Sequence, residues 1–308
     1  MTAVLVSHPD CLAHSNGPGH PERPERLFGI FGELDKPEYS ALVRHEAPLA
    51  SIEQIARVHD RSYIEDILTS VPQKGFTDIG GETALAPGSG SAALRAAGAL
   101  IHAVDLVMTG KSERVFCAVR PPGHHAGCSA ASGFCIFNNI AIGAEHAFSA
   151  YNVKRIAILD IDVHHGNGTQ EWAENRAGVL FCSSHQWPLW PGSGYTAERG
   201  PLGNIINLPL APETGGSKFR EAMETVALPS FEKFSPDLIM MSAGFDAHRD
   251  DPLASMNLDE DDYFWITAEI CKLADKHCEG RVVSTLEGGY NVPALAASAG
   301  AHVRALMA

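Results

Sequence analysis

Short runs of apolar residues, many of them β-branched, recur along the chain and predict buried strands. These runs are Val4–Ser7, Val115–Arg120, Arg155–Asp160, Val179–Ser183, Ile205–Leu208, Leu238–Ala243 and Arg281–Leu286. Longer alanine-rich stretches predict helices at Ser89–Met108, Asn139–Ala150, Ser217–Phe234, Asp259–His277 and Pro293–Met307. Near-continuous apolar strands that alternate with helices favour an α/β fold, an open parallel sheet with helices on both faces. No repeat or low-complexity linker interrupts the pattern, so residues 1–308 are predicted to form a single domain.

Composition narrows the class of protein. Hydrophobic residues make up 45% of the chain, and 23 Lys+Arg against 37 Asp+Glu give a formal net charge of −14. The apolar content excludes intrinsic disorder. The negative net charge argues against nucleic-acid or anionic-membrane partners. No uninterrupted apolar run approaches the ~18 residues of a membrane span, and the first residues lack the basic region of a signal peptide. Seven cysteines without a C-x-x-C pair predict free thiols, so we expect a cytoplasmic protein. The sequence leaves the oligomeric state open.

Polar and glycine-rich segments follow four of the predicted strands. They cover residues 121–125, 160–168, 242–246 and 287–290. Ligands of open α/β sheets bind outside the carboxyl ends of the strands. We therefore expect these four loops to meet at one edge of the sheet and to form one site.

The segment 160–168 contains a candidate metal site. On an extended chain the side chains of Asp160, Asp162 and His164 would lie on one face, and Asp246 follows another strand. A D-x-D pair alone is more often a helix cap or a hydrated loop, but the added histidine and Asp246 favour a metal ion. Two carboxylates and one imidazole leave a fourth position open, which is typical of catalytic zinc, and iron(II) or cobalt(II) could substitute.

Two further loops carry candidate acid–base chemistry. A single loop histidine is more often structural, but the tandem His124 and His125 beside a metal site are typical of general acid–base catalysis. Asp160 is not needed as a ligand and could orient one of the two imidazoles. Tyr290 follows two glycines that permit a tight turn, so its phenol could point inward and donate to a developing oxyanion.

The motifs together resemble one family. GHPERPER at 19–26, RPPGHHA at 120–126, GFCIFNN at 133–139, DIDVHHGNGT at 160–169, SAGFD at 242–246 and EGGY at 287–290 span nearly the whole chain. In these motifs the chain is similar to the histone deacetylase superfamily. That superfamily includes bacterial histone deacetylase-like amidohydrolases, acetylpolyamine amidohydrolases and acetoin-utilisation proteins. The resemblance implies an arginase/deacetylase-like fold and a deacetylase-like catalytic domain.

The resemblance also implies which residues bind metal ions. It makes Asp162, His164 and Asp246 the zinc ligands. The family carries a structural potassium ion near the zinc, and the matching residues here are Asp160, Asp162, His164, Ser183 and Ser184.

The resemblance further implies the catalytic roles. His125 matches the general base that takes a proton from water and later protonates the amine, and His124 matches its electrostatic partner, held by Asp160. Tyr290 matches the tyrosine that polarises the carbonyl. Asn167 stands where class I enzymes place an aspartate, as in class II-like members. A neutral partner raises the pKa of His125 less than a carboxylate would, which favours a neutral base.

The substrate channel is implied in the same way. Gly133 and Phe134 match one wall of an acyl-lysine tunnel, Trp190 the opposite wall, and Arg26 an arginine of the acetate-exit channel. Leu253 stands seven residues after Asp246, where polyamine-selective relatives place a glutamate. A leucine gives a cationic amine no compensating charge, so an acyl-lysine is the expected substrate.

Other functions stay open at this point. An acetylpolyamine deacetylase would need another acidic residue at the pocket mouth, and Glu82 and Asp250 are the candidates. A binuclear ureohydrolase would need a second metal ion and bridging aspartates, which the tandem histidines and Tyr290 speak against. A non-catalytic acyl-binding regulator would be favoured by a substitution at a ligand, at His125 or at Tyr290, and these positions are intact.

Overall fold

The computed structural model describes residues 3–308 and contains ten strands within them. They are β1 Ala3–Ser7, β2 Val43–Glu46, β3 Thr77–Asp78, β4 Ala84–Leu85, β5 Arg114–Cys117, β6 Ile156–Asp160, β7 Val179–Gln186, β8 Ile205–Leu210, β9 Leu238–Ala243 and β10 Val282–Leu286. Eight of them form one parallel sheet in the order β2-β1-β5-β10-β9-β6-β7-β8, and β3 and β4 form a short antiparallel pair. The predicted open parallel sheet is confirmed.

Helices cover both faces of this sheet. They are α1 Glu25–Leu34, α2 Ile52–Ile55, α3 Arg61–Thr69, α4 Ser89–Met108, α5 Asn139–Tyr151, α6 Asn167–Ala173, α7 Gly216–Ala222, α8 Leu228–Phe234, α9 Glu260–His277 and α10 Val292–Met307. α4 and α5 pack together on one face, whereas α1, α9 and α10 pack on the other. The strands between these layers are almost fully buried, which explains their near-continuous apolar sequence.

Each predicted strand and helix is present, with ends shifted by a few residues. The predicted helix Ser217–Phe234 contains a π-helical turn at Met223–Ala227 between α7 and α8. Pro229 follows that turn and has no backbone N–H to donate to the α-helical ladder, which accounts for the wider turn. The strand β2 was not predicted, because it lies at the exposed edge of the sheet and contains only one apolar residue, Val43.

Within residues 3–308, one helix is long and apolar enough, by length and composition alone, to cross a membrane. This helix is α4, although no uninterrupted apolar run in the sequence reached that length. In the fold, 67% of its apolar window is buried inside the protein. α4 packs against α5, β5 and β1, so it is a core helix of the α/β fold.

The strand order brings the four polar loops together. The strands that precede them are β5, β10, β9 and β6, and these are consecutive neighbours in the sheet. Because all of them are parallel, their carboxyl ends lie at one edge. The predicted convergence of the four loops is therefore confirmed.

Candidate active site

Three donor atoms converge where β6 and β9 end. Nδ1 of His164 lies 3.1 Å from Oδ1 of Asp162 and 3.1 Å from Oδ2 of Asp246. Zinc–ligand distances of about 2.0–2.2 Å in a tetrahedral site place neighbouring donor atoms roughly 3.3–3.6 Å apart. One imidazole nitrogen and two carboxylate oxygens at this spacing fit a zinc ion.

Backbone donors orient the two carboxylates. The N–H of Gly288 donates to Oδ2 of Asp162 at 2.8 Å, and the N–H of Val163 donates to Oδ1 of Asp246 at 2.9 Å. Each carboxylate thus has one oxygen held by another loop while the other faces His164, and for Asp162 that second oxygen also accepts the backbone N–H of His164. Such outer contacts fix the direction of a metal ligand.

Asp160 lies outside this donor cluster. Its Oδ2 accepts a hydrogen bond from Nδ1 of His124 at 2.9 Å, and its Oδ1 accepts one from the N–H of Asp162 at 3.1 Å. Strand β6 ends at Asp160, so the alternation expected to place Asp160, Asp162 and His164 on one face is wrong beyond that residue. A bend of the loop, instead of strand geometry, brings His164 to Asp162.

Two other groups of side chains in residues 3–308 have the spacing of a metal site. They are His124–His125–Asp162 and His124–Cys135–Glu287. Burial holds the pKa of the Cys135 thiol well above its usual value, and a protonated thiol is a poor ligand. Glu287 accepts hydrogen bonds from the backbone N–H groups of Gly123 and His124. Both groups also need His124, whose charged imidazole beside Asp160 has no lone pair for a metal ion, so Asp162–His164–Asp246 is the better metal site.

The tandem histidines differ in charge. Burial lowers the pKa of His124, but the surrounding carboxylates, Asp160 foremost, outweigh burial and hold that pKa well above its usual value. Burial and the charge of His124 hold the pKa of His125 well below its usual value. Nδ1 of His125 donates to Oδ1 of Asn167 at 2.8 Å, which leaves Nε2 as a free acceptor. The two imidazoles, 3.8 Å apart between ring centroids, thus form a charged and neutral pair.

Tyr290 closes the site from the loop after β10. Its backbone N–H donates to Oδ2 of Asp251 at 2.7 Å, and the Arg26 guanidinium lies 5.0 Å from the ring centroid. Burial raises the pKa of the Tyr290 phenol well above its usual value. The hydroxyl therefore stays protonated and can donate a hydrogen bond.

These groups meet in one pocket with a volume of 520 Å³. His125, His164 and Tyr290 line its floor. All four predicted channel residues line it too: Gly133, Phe134, Trp190 and Leu253. The structure therefore brings together the residues that the sequence assigned to metal binding, catalysis and the substrate channel.

Gly133 is required by a close approach inside this pocket. A Cβ atom there would lie 2.4 Å from the His125 ring and 2.5 Å from the Trp190 ring. Its φ is 52°, and the next residue, Phe134, also has a positive φ of 68°. A bulky residue in that region is strained, and strain of this kind clusters at functional sites.

Arg26 lies behind Tyr290 and is fully buried. Its Nε donates to the carbonyl oxygen of Gly289 at 2.6 Å, its Nη1 donates to Oε1 of Glu22 at 3.2 Å, and its Nη2 donates to the carbonyl oxygen of Glu287. The residue predicted for the exit channel thus also anchors the loop that carries Tyr290.

Several site residues had no role assigned from the sequence, although His20, Pro21 and Glu287 stand in the family motifs. His20, Pro21 and Leu189 line the pocket, and Asp251 and Glu287 anchor its loops. Asp251 stands in an acidic run next to the exposed Asp250, so nothing in the sequence distinguishes it from a solvated neighbour. Of the two acidic candidates for the mouth, Glu82 lines the pocket and Asp250 is not among its lining residues in the described chain.

Comparisons with known proteins identify the family. The histone deacetylase domain matches residues 20–306. A probable deacetylase from Archaeoglobus fulgidus is 38% identical over 298 residues, covering 95% of this chain and 82% of that protein. A histone deacetylase-like amidohydrolase from Pseudomonas aeruginosa is 37% identical over 305 residues, covering 91% and 80%. The crystal structure of the HDA15 HD domain has a TM-score of 0.94 at 33% identity and covers 99% of this chain and 88% of that one.

With this α/β fold and this pocket, the chain is a hydrolase of the deacetylase-like class. Within it, the chain belongs to the histone deacetylase domain family, and the predicted resemblance is confirmed. This family is generally zinc-dependent, and the chain presents a fitting set of candidate ligands.

Proposed function

We propose that residues 1–308 act as one catalytic domain, a cytoplasmic zinc-dependent deacetylase that removes acetyl or related acyl groups from acyl-lysine side chains. One observation carries the proposal: His125, His164 and Tyr290 face the same pocket, whose walls are mainly apolar. A general base, a metal ligand and a hydroxyl donor around one narrow space are the groups that amide hydrolysis needs.

Asp162, His164 and Asp246 would hold the zinc ion, and iron(II) or cobalt(II) could take its place. When bound, zinc would act as a Lewis acid that polarises the amide carbonyl and lowers the pKa of a water molecule. The remaining oxygen of each carboxylate faces His164, and His164 lines the pocket.

The chain's own residues then move the protons. Nε2 of the neutral His125 accepts a proton from the attacking water and later donates it to the leaving amine nitrogen. His124 keeps its charge beside Asp160 and stabilises the negative charge that develops nearby. The Tyr290 hydroxyl donates a hydrogen bond to the oxyanion that forms when the carbonyl carbon becomes tetrahedral.

The pocket walls favour an uncharged stem on the substrate. Phe134 and Trp190 provide aromatic surfaces, and Leu253 lines the pocket where the resemblance places a cation-binding glutamate in polyamine-selective relatives. The methylene chain of an acyl-lysine matches such walls, because its burial removes apolar surface from water and strands no charge.

A second candidate, an acetylpolyamine deacetylase, has one observation in its favour. Glu82 lies in the pocket wall and is exposed to solvent, so its carboxylate could pair with an inner ammonium group of a polyamine. Leu253 and Glu82 thus favour different substrate classes.

A structural potassium ion is part of the proposal, held by Asp160, Asp162, His164, Ser183 and Ser184. The pairing of β6 with β7 aligns Asp160 with Ser183. The proposed partner is an acylated lysine or another acylated amine, with no nucleic acid or membrane, and the oligomeric state stays open.

A substrate panel on purified, metal-quantified protein tests the function. It contains acetyl-lysine peptides, longer acyl-lysine peptides, acetylputrescine, acetylspermidine and ureohydrolase substrates. We expect the highest kcat/KM on an acyl-lysine peptide. A tenfold preference for acetylspermidine, roughly 1.4 kcal/mol in transition-state binding, would refute the lysine assignment and retain the zinc amidohydrolase. Hydrolysis of ureohydrolase substrates alone would refute both.

A further inference from the structure

The segment 187–198, called here the Trp190 loop, forms a pocket wall through Leu189, which packs against the hydrophobic core, and through Trp190. Trp190 is 42% exposed, yet its ring lies 4.6 Å from the His125 ring between centroids. The position of this wall therefore depends on how the rest of the loop is anchored.

One anchor is a chain of hydrogen bonds that links the Glu198 carboxylate to the buried His165. Nε2 of Gln170 donates to Oε2 of Glu198 at 3.0 Å, which turns the Gln170 oxygen towards His165. Nε2 of His165 donates to that oxygen at 2.8 Å, so its Nδ1 accepts from the Ser193 hydroxyl, also at 2.8 Å. The chain begins and ends in the Trp190 loop.

A second anchor holds the backbone of Gly194 on both sides. Oε2 of Glu198 accepts from the Gly194 N–H at 3.0 Å, and Nε2 of His185 donates to the Gly194 carbonyl at 2.9 Å. Gly194 has a φ of 90°, and a Cβ there would lie 2.5 Å from Nε2 of His185 and 2.7 Å from the His165 ring. The two imidazoles therefore leave room for glycine only.

Glu198 joins both anchors through a single oxygen atom. Its partner Gln170 lies on α6, and the first residue of that helix, Asn167, accepts the hydrogen bond from His125. The wall at Trp190 and the residue that orients the proposed base are thus held by the same short helix.

We propose that Glu198 is a positioning residue that holds the Trp190 loop in its substrate-binding position and thereby sets the affinity of the pocket for the acyl-lysine stem. The proposal rests on the proposed function for its substrate. Glu198 touches neither the reacting atoms nor the metal ligands, so its effect belongs in KM and not in kcat. A wall that is ordered before binding spares the substrate the cost of ordering it.

The test compares Glu198→Ala with Glu198→Gln. The alanine removes the shared oxygen, whereas the amide oxygen of glutamine can still accept from both Gly194 and Gln170. We expect the alanine variant to raise KM for an acetyl-lysine peptide about tenfold with kcat within about threefold of wild type, and the glutamine variant to restore most of the affinity. Glu221→Ala, an exposed glutamate on α7, removes the same charge elsewhere and should leave KM unchanged.

Hydrogen exchange measured by mass spectrometry gives a readout that needs no catalysis. Residues 187–198 should exchange faster in Glu198→Ala than in wild type or in Glu198→Gln, with equal zinc content in all three. Ser193→Ala, which removes only the hydroxyl bound to His165, should raise exchange in the same segment and serves if Glu198→Ala does not fold.

An exchange rate in this segment equal to that of the wild type, in both Glu198→Ala and Ser193→Ala, would overturn the proposal. Faster exchange with an unchanged KM would also overturn it, because the loop would then not control affinity. If the wild-type protein hydrolyses no acyl-amine, the proposed function fails, and the exchange experiment still decides whether Glu198 holds the loop.

Discussion

At and beneath the floor of the pocket lie ionisable side chains that are almost completely buried, among them His124, Asp162 and Asp246 beneath it. At its mouth lie apolar side chains that remain partly in water, with Trp190 at 42% exposure. This distribution is the reverse of an ordinary globular protein, in which apolar groups are buried and charged groups are exposed. The floor can keep its charges because each one has a partner, and the mouth can stay apolar because it is available to a substrate.

The floor and the mouth contribute through different interactions, electrostatic stabilisation at the floor and burial of apolar surface at the mouth. Charges in a desolvated site act strongly on a developing oxyanion, so the floor should control the chemical step. Apolar walls gain free energy from the buried area of the substrate, so the mouth should control affinity and selectivity. Variants of the floor are therefore expected to change kcat by large factors, and variants of the mouth to change KM or substrate ratios by smaller ones.

The largest effect is expected from the metal ligands. Asp246→Ala, and equally Asp162→Ala or His164→Ala, removes one of three donors and should leave a folded protein with little bound zinc and no measurable deacetylation. Metal analysis together with circular dichroism checks this, and Leu253→Ala at the mouth should keep its zinc. Stoichiometric zinc and full activity in Asp246→Ala would contradict the site.

The next effect concerns the hydroxyl donor at the floor. Tyr290→Phe removes one hydrogen-bond donor and no ligand, so kcat should fall by ~10²–10³, about 2.7–4 kcal/mol, at unchanged zinc content. Steady-state kinetics on the best substrate of the panel measures the change. Turnover at the wild-type rate would show that the tyrosine does not act in the transition state.

A smaller effect is expected where the floor meets the mouth. Asp251 accepts hydrogen bonds from the backbone N–H groups of Tyr290 and of Leu253, so one carboxylate holds a residue of each region. In Asp251→Asn the amide nitrogen cannot accept one of these bonds, and kcat should fall about tenfold with a loss of roughly 1–3 kcal/mol in unfolding free energy. Kinetics and denaturant unfolding measure both values. The neighbouring, exposed Asp250→Asn is the control, and equal effects in the two variants would remove the positioning role.

The smallest expected effect lies at the mouth alone. Leu253→Glu should shift the ratio of kcat/KM from acetyl-lysine peptide towards acetylspermidine by about tenfold, with kcat on the peptide changing little. Glu82→Gln should lower any acetylspermidine activity if that carboxylate binds the inner ammonium group. A wild-type preference for the peptide that survives Leu253→Glu without change would show that residue 253 does not select the substrate.

Much of the fold could be predicted from local sequence patterns. The buried strands β5, β6, β9 and β10 are nearly continuous apolar runs, and each ends at a polar or glycine-rich segment that carries site residues. The edge strand β2 could not be predicted, because an exposed strand of the sequence Val-Arg-His-Glu has neither an apolar run nor a clear alternation. The bend after Asp160 was also missed, since strand periodicity gives no information beyond the end of a strand.

Some hydrogen bonds of the site could be predicted from the sequence and others could not. The contacts of His124 with Asp160 and of His125 with Asn167 followed from the family resemblance, and the structure contains both. The roles of Asp251 and Glu198 did not follow from any pattern. Their partners lie far away along the chain or in irregular loops, where periodicity predicts no contacts.

The sequence by itself determined the alternation of strands and helices and the chemistry carried at the strand ends. A buried strand is visible in the sequence as a short run of apolar residues. Parallel strands place their carboxyl ends at a common edge of the sheet, where ligands bind. Only the tertiary structure decided which acids become partners of that chemistry, such as Asp251 bonded to the backbone of Tyr290 or Glu198 bonded to Gln170 of α6. The physical reason is that a hydrogen bond requires two groups within about 3 Å, and chain folding, not residue type, brings distant groups to that distance.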